Sequence, residues 1–191
     1  MQIILASQSP RRRELMGLFR LPFTVQVANA DETMDPTLSP FDAVAAVSLR
    51  KARAIPRGND DLVIAADTIV VCDGEILGKP KDEADALRML QMLSGKAHQV
   101  MTGLAVLYGR QTILHTEVTD VYFRPLEERE ILQYIATKEP MDKAGSYGIQ
   151  GGAALFVEKI HGDYFNVVGL PVCRLGQIID TLVPKSMEET L

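Results

Sequence analysis

The apolar run from Leu62 to Cys72 constrains this chain more than any other stretch. Its β-branched residues read as a strand, Asp73-Gly74 as a hairpin turn, and Glu75 to Gly78 as a short return strand before Lys79-Pro80. In the middle of the run stands one carboxylate, Asp67, between Ala65-Ala66 and Ile69-Val70-Val71. An ionised carboxylate inside such a strand is costly unless it is paired, bound to metal or placed at a cleft. An edge strand with Asp67 facing water is the plain structural alternative. The functional reading makes Asp67 a metal ligand or a general base, with burial raising its pKa toward the working range.

The segments around this run set helices beside strands. Ile3 to Ala6 reads as a buried strand, followed by a helix from Arg11 to about Phe19 with Ser9 at the N-cap and Pro10 at N1. A second helix starts at Ser39-Pro40, with Asp42 as the acidic partner of a capping box, and stops before Pro56; Val44, Val47 and Leu49 form its apolar face. Asp82 to Leu93 reads as a helix, His98 to Tyr108 and Thr112 to Phe123 as two strands around Gly109, and Pro125 as the opening of a helix through Thr137. Met141 to Gly152 is the longest candidate loop, and loops of that length in compact domains are functional or disordered. Ala153 to Ile160 resumes a strand, Gly162 to Pro171 is turn-rich, and Val172 to Leu182 is a last helix.

A chain of 191 residues, 47% hydrophobic, can bury one substantial core with a cleft between two lobes. Residues 1–183 are expected to form a single domain and 184–191 a frayed tail. A net charge of −5 argues against a binder of nucleic-acid polymers. No apolar run approaches the roughly 20 residues that span a bilayer, and the N-terminus lacks the pattern of a signal peptide. Cys72 and Cys173 have no CxxC spacing, and His98, His115 and His161 have no zinc spacing. A cytoplasmic protein is expected, and any metal would be held by carboxylates, which favours Mg²⁺ or Mn²⁺.

Arg11, Arg12 and Arg13 occupy the first turn of a helix, where the macrodipole already places about half a positive charge. Such a cluster is either solvated or faces a polyanion, with backbone N–H groups, Ser9 and arginine forks converging on phosphate oxygens. Lys79 and Lys51 are further cations, although Arg50, Lys51 and Arg53 suit a helix C-terminus in any protein. Asp31-Glu32 lies in a polar linker.

Five segments taken in order carry a resemblance. Ser7-Gln8-Ser9-Pro10-Arg11-Arg12, Ala66-Asp67-Thr68-Ile69-Val70, Leu77-Gly78-Lys79-Pro80, Asp142 to Gly151 (DKAGSYGIQG) and Val168-Gly169-Leu170-Pro171 resemble the Maf family of nucleotide pyrophosphatases. The resemblance implies an α/β fold of the inosine-triphosphatase type, with a mixed, elongated central sheet, flanking helices and a cleft between two lobes. It implies hydrolysis of a nucleoside triphosphate between the α- and β-phosphates with a divalent cation. Asp67 would be the proton acceptor, with Ser9, Arg12, Glu32, Lys51 and Lys79 around phosphates and metal; Glu32 and Asp67 are the expected metal ligands.

Within the family, the branch acting on thymidine and uridine triphosphates carries Arg after Ser-Pro, Thr after the aspartate and Gln in the glycine-rich loop. This chain has Arg11, Thr68 and Gln150 there, so dTTP and UTP are the expected substrates. An amide such as Gln150 can meet the N3–H donor and O4 acceptor of uracil or thymine. The competing readings are a 7-methyl-GTP pyrophosphatase and a nucleotide-binding regulator of septum formation and cell division. A second copy of the chain is a candidate partner.

Overall fold

The computed structural model describes residues 1–27 and 29–182, so the expected tail at 184–191 lies outside the described residues. Ile3–Ala6 forms β1, all four side chains buried, as a strand covered on both faces requires. It leads into α1, Pro10–Gly17, where Ser9 caps the N-terminus by accepting from the Arg12 N–H. A strand that the sequence did not announce, β2 (Thr24–Gln26), lies parallel to β1. Three residues are too few to show a period. After α2, Pro40–Arg53, capped by Ser39, the chain enters β3, Leu62–Cys72, parallel to β1 on its other side.

The two helices cover opposite faces. Leu15 and Met16 of α1 pack with Leu62, Ile64 and Ala66, whereas Ala52 of α2 packs with Val63 and Ala65. Winding away from β1 once to each side makes the carboxyl end of β1 a topological switch point, the place where open α/β sheets bind ligands.

From β3 the sheet continues antiparallel. A turn at Asp73-Gly74, both at positive φ, leads to β4, Glu75–Leu77, paired with the far end of β3. Next come α3, Glu83–Leu93, and the long strands β5, Ala97–Tyr108, and β6, Gln111–Phe123. Including β7, Val157–His161, the seven-stranded sheet runs β2-β1-β3-β5-β6-β7, with β4 attached to β3. The α/β architecture, with a mixed sheet and flanking helices, is the one expected.

The long strands β3 and β5 serve two separate apolar cores on the face that carries α1. One core gathers Leu15, Met16 and Leu104 with Leu175 and Ile179 of α6, Val172–Leu182. The other gathers Leu90 and Leu93 of α3 with Phe123 and with Ile131 and Tyr134 of α4, Glu128–Ala136. On the opposite face α2 lies directly on β5: a Cβ at Gly103 would stand 2.4 Å from the Val44 carbonyl oxygen.

Several stretches differ from the expected ones. Helix α4 starts at Glu128 and not at Pro125, because Glu127 and Glu130 cap each other's backbone there. Strand β7 starts at Val157, since Gly152–Leu155 closes into a 3₁₀ turn. The turn-rich stretch after Gly162 contains a short helix, α5, Tyr164–Val168, capped by Asp163 and ended by Gly169 at φ 123°. Of the two alternatives for the long loop, functional or disordered, the second does not hold: 3₁₀ turns form at Glu139–Asp142 and Ala144–Ser146, and Gly145, Ser146 and Tyr147 are buried.

His98 holds this packed segment to β5. Its Nε2 lies 2.8 Å from the Tyr147 hydroxyl, and its ring meets Phe123 edge-on. Burial pulls the imidazole pKa down from 6.5 to about 4. An unfolded chain therefore takes up a proton below pH 6.5 that the folded chain refuses until about pH 4. Stability is full above pH 6.5 and falls by about 1.4 kcal/mol per pH unit as pH drops through that window, about 3 kcal/mol in all. Unfolding free energies from urea titrations at pH 7.5 and 4.5 are expected to differ more in the wild type than in His98→Phe by this amount.

Candidate active site

The cleft begins as an interruption in the sheet. On one side of β3, Ile64 is the last residue in register with β1 and Val70 the first in register with β4. Between them β3 presents an open edge, while its other side stays paired with β5, Asp67 opposite Gly103 and Thr68 opposite Thr102. Asp67 is thus neither on a peripheral strand nor enclosed: it lies in a central strand where one neighbour is missing. A cleft of 930 Å³ opens here, reached by Ser9, Arg11, Glu32, Lys51, Lys79 and Gln150 from separate segments.

The amino end of α1 faces this opening. Arg11, Arg12 and Ser9 line the cleft, while Arg13 is exposed, a separation that follows from the 100° turn per helical residue. Arg12 fills the break in the sheet. Its Nη1 donates to Ala66 O at 2.8 Å, its Nε to Gly169 O at 2.7 Å and its Nη2 to the Thr68 hydroxyl at 2.9 Å. Desolvation draws its pKa below the usual arginine value, with Asp67 acting in the opposite direction. Arg12 is therefore a strut as well as a wall of the cleft, since two of its five N–H groups remain beyond these three bonds.

Thr68 continues the strut into the protein. Its hydroxyl lies 2.9 Å from that of Thr102, which donates to Asn166 O at 3.1 Å, and Asn166 Nδ2 donates to Val100 O and to the Thr119 hydroxyl. This polar seam separates the two apolar cores.

On the α2 face, Lys51 joins the two acidic candidates. Its Nζ is 2.6 Å from Asp67 Oδ1 and 2.9 Å from Glu32 Oε1. Lys51 and Asp67 are nearly buried, whereas Glu32, on the segment before α2, is exposed. Arg50 donates to Thr33 O beside it, so α2 fixes that segment at two adjacent points.

Among the described residues, no three His, Cys, Asp or Glu side chains converge to hold a metal ion by themselves. Two carboxylates completed by phosphate oxygens are nevertheless the usual donor set for Mg²⁺. Asp67 and Glu32, brought to one ammonium, fit that chemistry.

The remaining expected residues come from loops. Lys79 follows β4 and Gln150 lies in the glycine-rich segment; both are exposed and both line the cleft. Three further lining residues, Glu139, Lys143 and Tyr147, were given no role at the site from the sequence, although the last two lie within the DKAGSYGIQG segment. The signal available was a pair of charges beside a run of glycines. What joins them is the fold of the segment: Lys143 Nζ donates to Glu139 O at 2.6 Å.

The fold is shared with a HAM1 protein from Coxiella burnetii, 14% identical, with a TM-score of 0.54 over 95% of this chain and 99% of that one. The Maf-like protein family matches residues 2–182. This chain belongs to the Maf family. It is 54% identical over 91% of its length to the dTTP/UTP pyrophosphatase of Bacillus cytotoxicus, of which it covers 92%. It is 52% identical to a protein of the same name from Bacillus cereus, over 91% of this chain and 86% of that one.

Proposed function

We propose that this chain hydrolyses dTTP and UTP to the monophosphate and pyrophosphate in the cleft at the open edge of β3, acting as a single domain over residues 1–183. The observation that carries this reading is the Asp67–Lys51 pair, a carboxylate and an ammonium 2.6 Å apart in a cleft that is also lined by a helix N-terminus with arginines. Relatives 52–54% identical named dTTP/UTP pyrophosphatase support the same activity.

A triphosphate brings about four negative charges, which must be offset before water reaches phosphorus. The α1 amino terminus with Ser9, Arg11, Arg12, Lys51 and Lys79 would take that role. Asp67 would accept the proton of the attacking water as the α–β bridge opens and pyrophosphate leaves. Asp67 and Glu32 would hold Mg²⁺ or Mn²⁺, which when bound offsets phosphate charge and makes water more acidic. Gln150 would read the base, its amide pairing with an N–H and the adjacent carbonyl. Cys72 and Cys173 are free thiols, and no described helix is long and apolar enough to cross a membrane, which supports placing the enzyme in a reducing cytoplasm.

Pyrophosphate release across a panel of triphosphates tests the reading. Turnover is expected to favour dTTP and UTP over ATP, GTP and 7-methyl-GTP by about tenfold to a hundredfold, because a wrong base leaves polar groups unpaired. Gln150→Glu should lower that preference, since its carboxylate meets the base carbonyl as a second acceptor. An unchanged dTTP-to-GTP ratio would remove Gln150 from base recognition.

A further inference from the structure

The turn that presents Gln150 is tied down by side chains from another part of the chain. Gly151 N–H donates to Gly148 O at 3.1 Å, which closes a four-residue turn with Ile149 and Gln150 at its tip. Ile149 packs against both apolar cores, and Gln150 is left exposed at the cleft.

At the start of the turn, Gly148 N–H donates to the Tyr134 hydroxyl oxygen at 3.1 Å. Just beyond its end, Gly152 N–H donates to Glu139 Oε2 at 3.0 Å. The Tyr134 hydroxyl in turn donates to Glu139 Oε1 at 2.9 Å. One carboxylate therefore restrains both ends, one directly and one through Tyr134.

The approach is close. A Cβ at Gly151 would stand 1.9 Å from Glu139 Oε1, and one at Gly148 would stand 2.7 Å from Lys143 Cε. Lys143 itself is fastened to Glu139 O.

We propose that Glu139 is the positioning residue for base selection: it fixes the Gly148–Gly151 turn so that Gln150 offers its amide from one place to a pyrimidine carrying a carbonyl beside an N–H. The inference rests on Gln150 reading the base. A loose amide can turn over and meet the donor and acceptor pattern of several bases, whereas one carried on a restrained turn has fewer patterns to offer.

The test is kcat and KM for dTTP and GTP in Glu139→Ala, Glu139→Gln, Gln150→Glu and the double variant Glu139→Ala/Gln150→Glu. In Glu139→Ala the dTTP-to-GTP ratio of kcat/KM is expected to fall about tenfold, through KM for dTTP more than through kcat. Glu139→Gln should restore most of it, because the amide oxygen can accept from Gly152 N–H while the amide nitrogen donates to Tyr134. The double variant should be no less selective than Gln150→Glu alone, since both changes act on one unit.

An unchanged ratio in Glu139→Ala beside a lowered ratio in Gln150→Glu overturns the positioning role alone. So does a Gln variant no better than Ala, or a double variant whose losses add. A lowered ratio in Glu139→Ala with none in Gln150→Glu overturns both the reading of Gln150 and the route through it. Should Glu139→Ala fail to fold, Tyr134→Phe, which keeps the ring and removes the hydroxyl between Gly148 and Glu139, is read against the same outcomes.

Discussion

Asp67→Asn is expected to leave a folded protein whose turnover is lower by about a hundredfold to ten-thousandfold, the range associated with loss of a positioned proton acceptor. The side chain keeps its size, and an amide oxygen can still accept from Lys51 Nζ, 2.6 Å away in the native site. What disappears is the negative charge that takes the proton and that would bind a divalent cation. Lys51 retains Glu32 as a counter-charge, so the stability loss should stay at about 1–3 kcal/mol. Circular dichroism with pyrophosphate release at saturating dTTP separates the two effects. Near-normal turnover in a folded variant would take Asp67 out of the chemistry.

Arg12→Ala is expected to destabilise the free protein strongly, by about 3–5 kcal/mol, as well as to weaken nucleotide binding. From the sequence alone a cation at a helix N-terminus predicts the reverse, a stability that holds level or rises when the arginine is removed. The tertiary structure overrides the dipole argument. The guanidinium closes the gap between β1 and β4 by donating to Ala66 O and Gly169 O, and truncation would leave both carbonyls short of a donor. Arg11→Ala, at the neighbouring position that also lines the cleft, provides the comparison. It should weaken nucleotide binding with a much smaller change in melting temperature. Equal melting temperatures for the two variants would show that the strut contributes little.

Local chemistry made much of the fold legible. The buried quartet of β1, the Ser9 and Ser39 caps and the Asp73-Gly74 turn all depend on neighbours within a few residues, and each formed as read. Elements that depend on remote partners were not legible. Strand β2 exists because β1 offers it an edge, and α5 sits where Thr119 of β6 donates to Asp163 O and accepts from Nδ2 of Asn166, a residue of α5. The start of α4 moved because Glu127 and Glu130 cap each other better than Pro125 opens a helix.

The same division holds at the site. The sequence by itself determined that a carboxylate would interrupt an apolar strand, that arginines would crowd a helix N-terminus, and that a glycine-rich segment would carry Gln150. Only the tertiary structure decided that Asp67 lies at an open edge of a central strand, that Lys51 joins it to Glu32, and that Arg12 rather than Arg11 braces the sheet. Residue types and short spacings fix what a segment can do with its own backbone. Which strand edge stays open, and which of two adjacent arginines turns toward it, is set by registers between residues some sixty positions apart, and no local pattern encodes those registers.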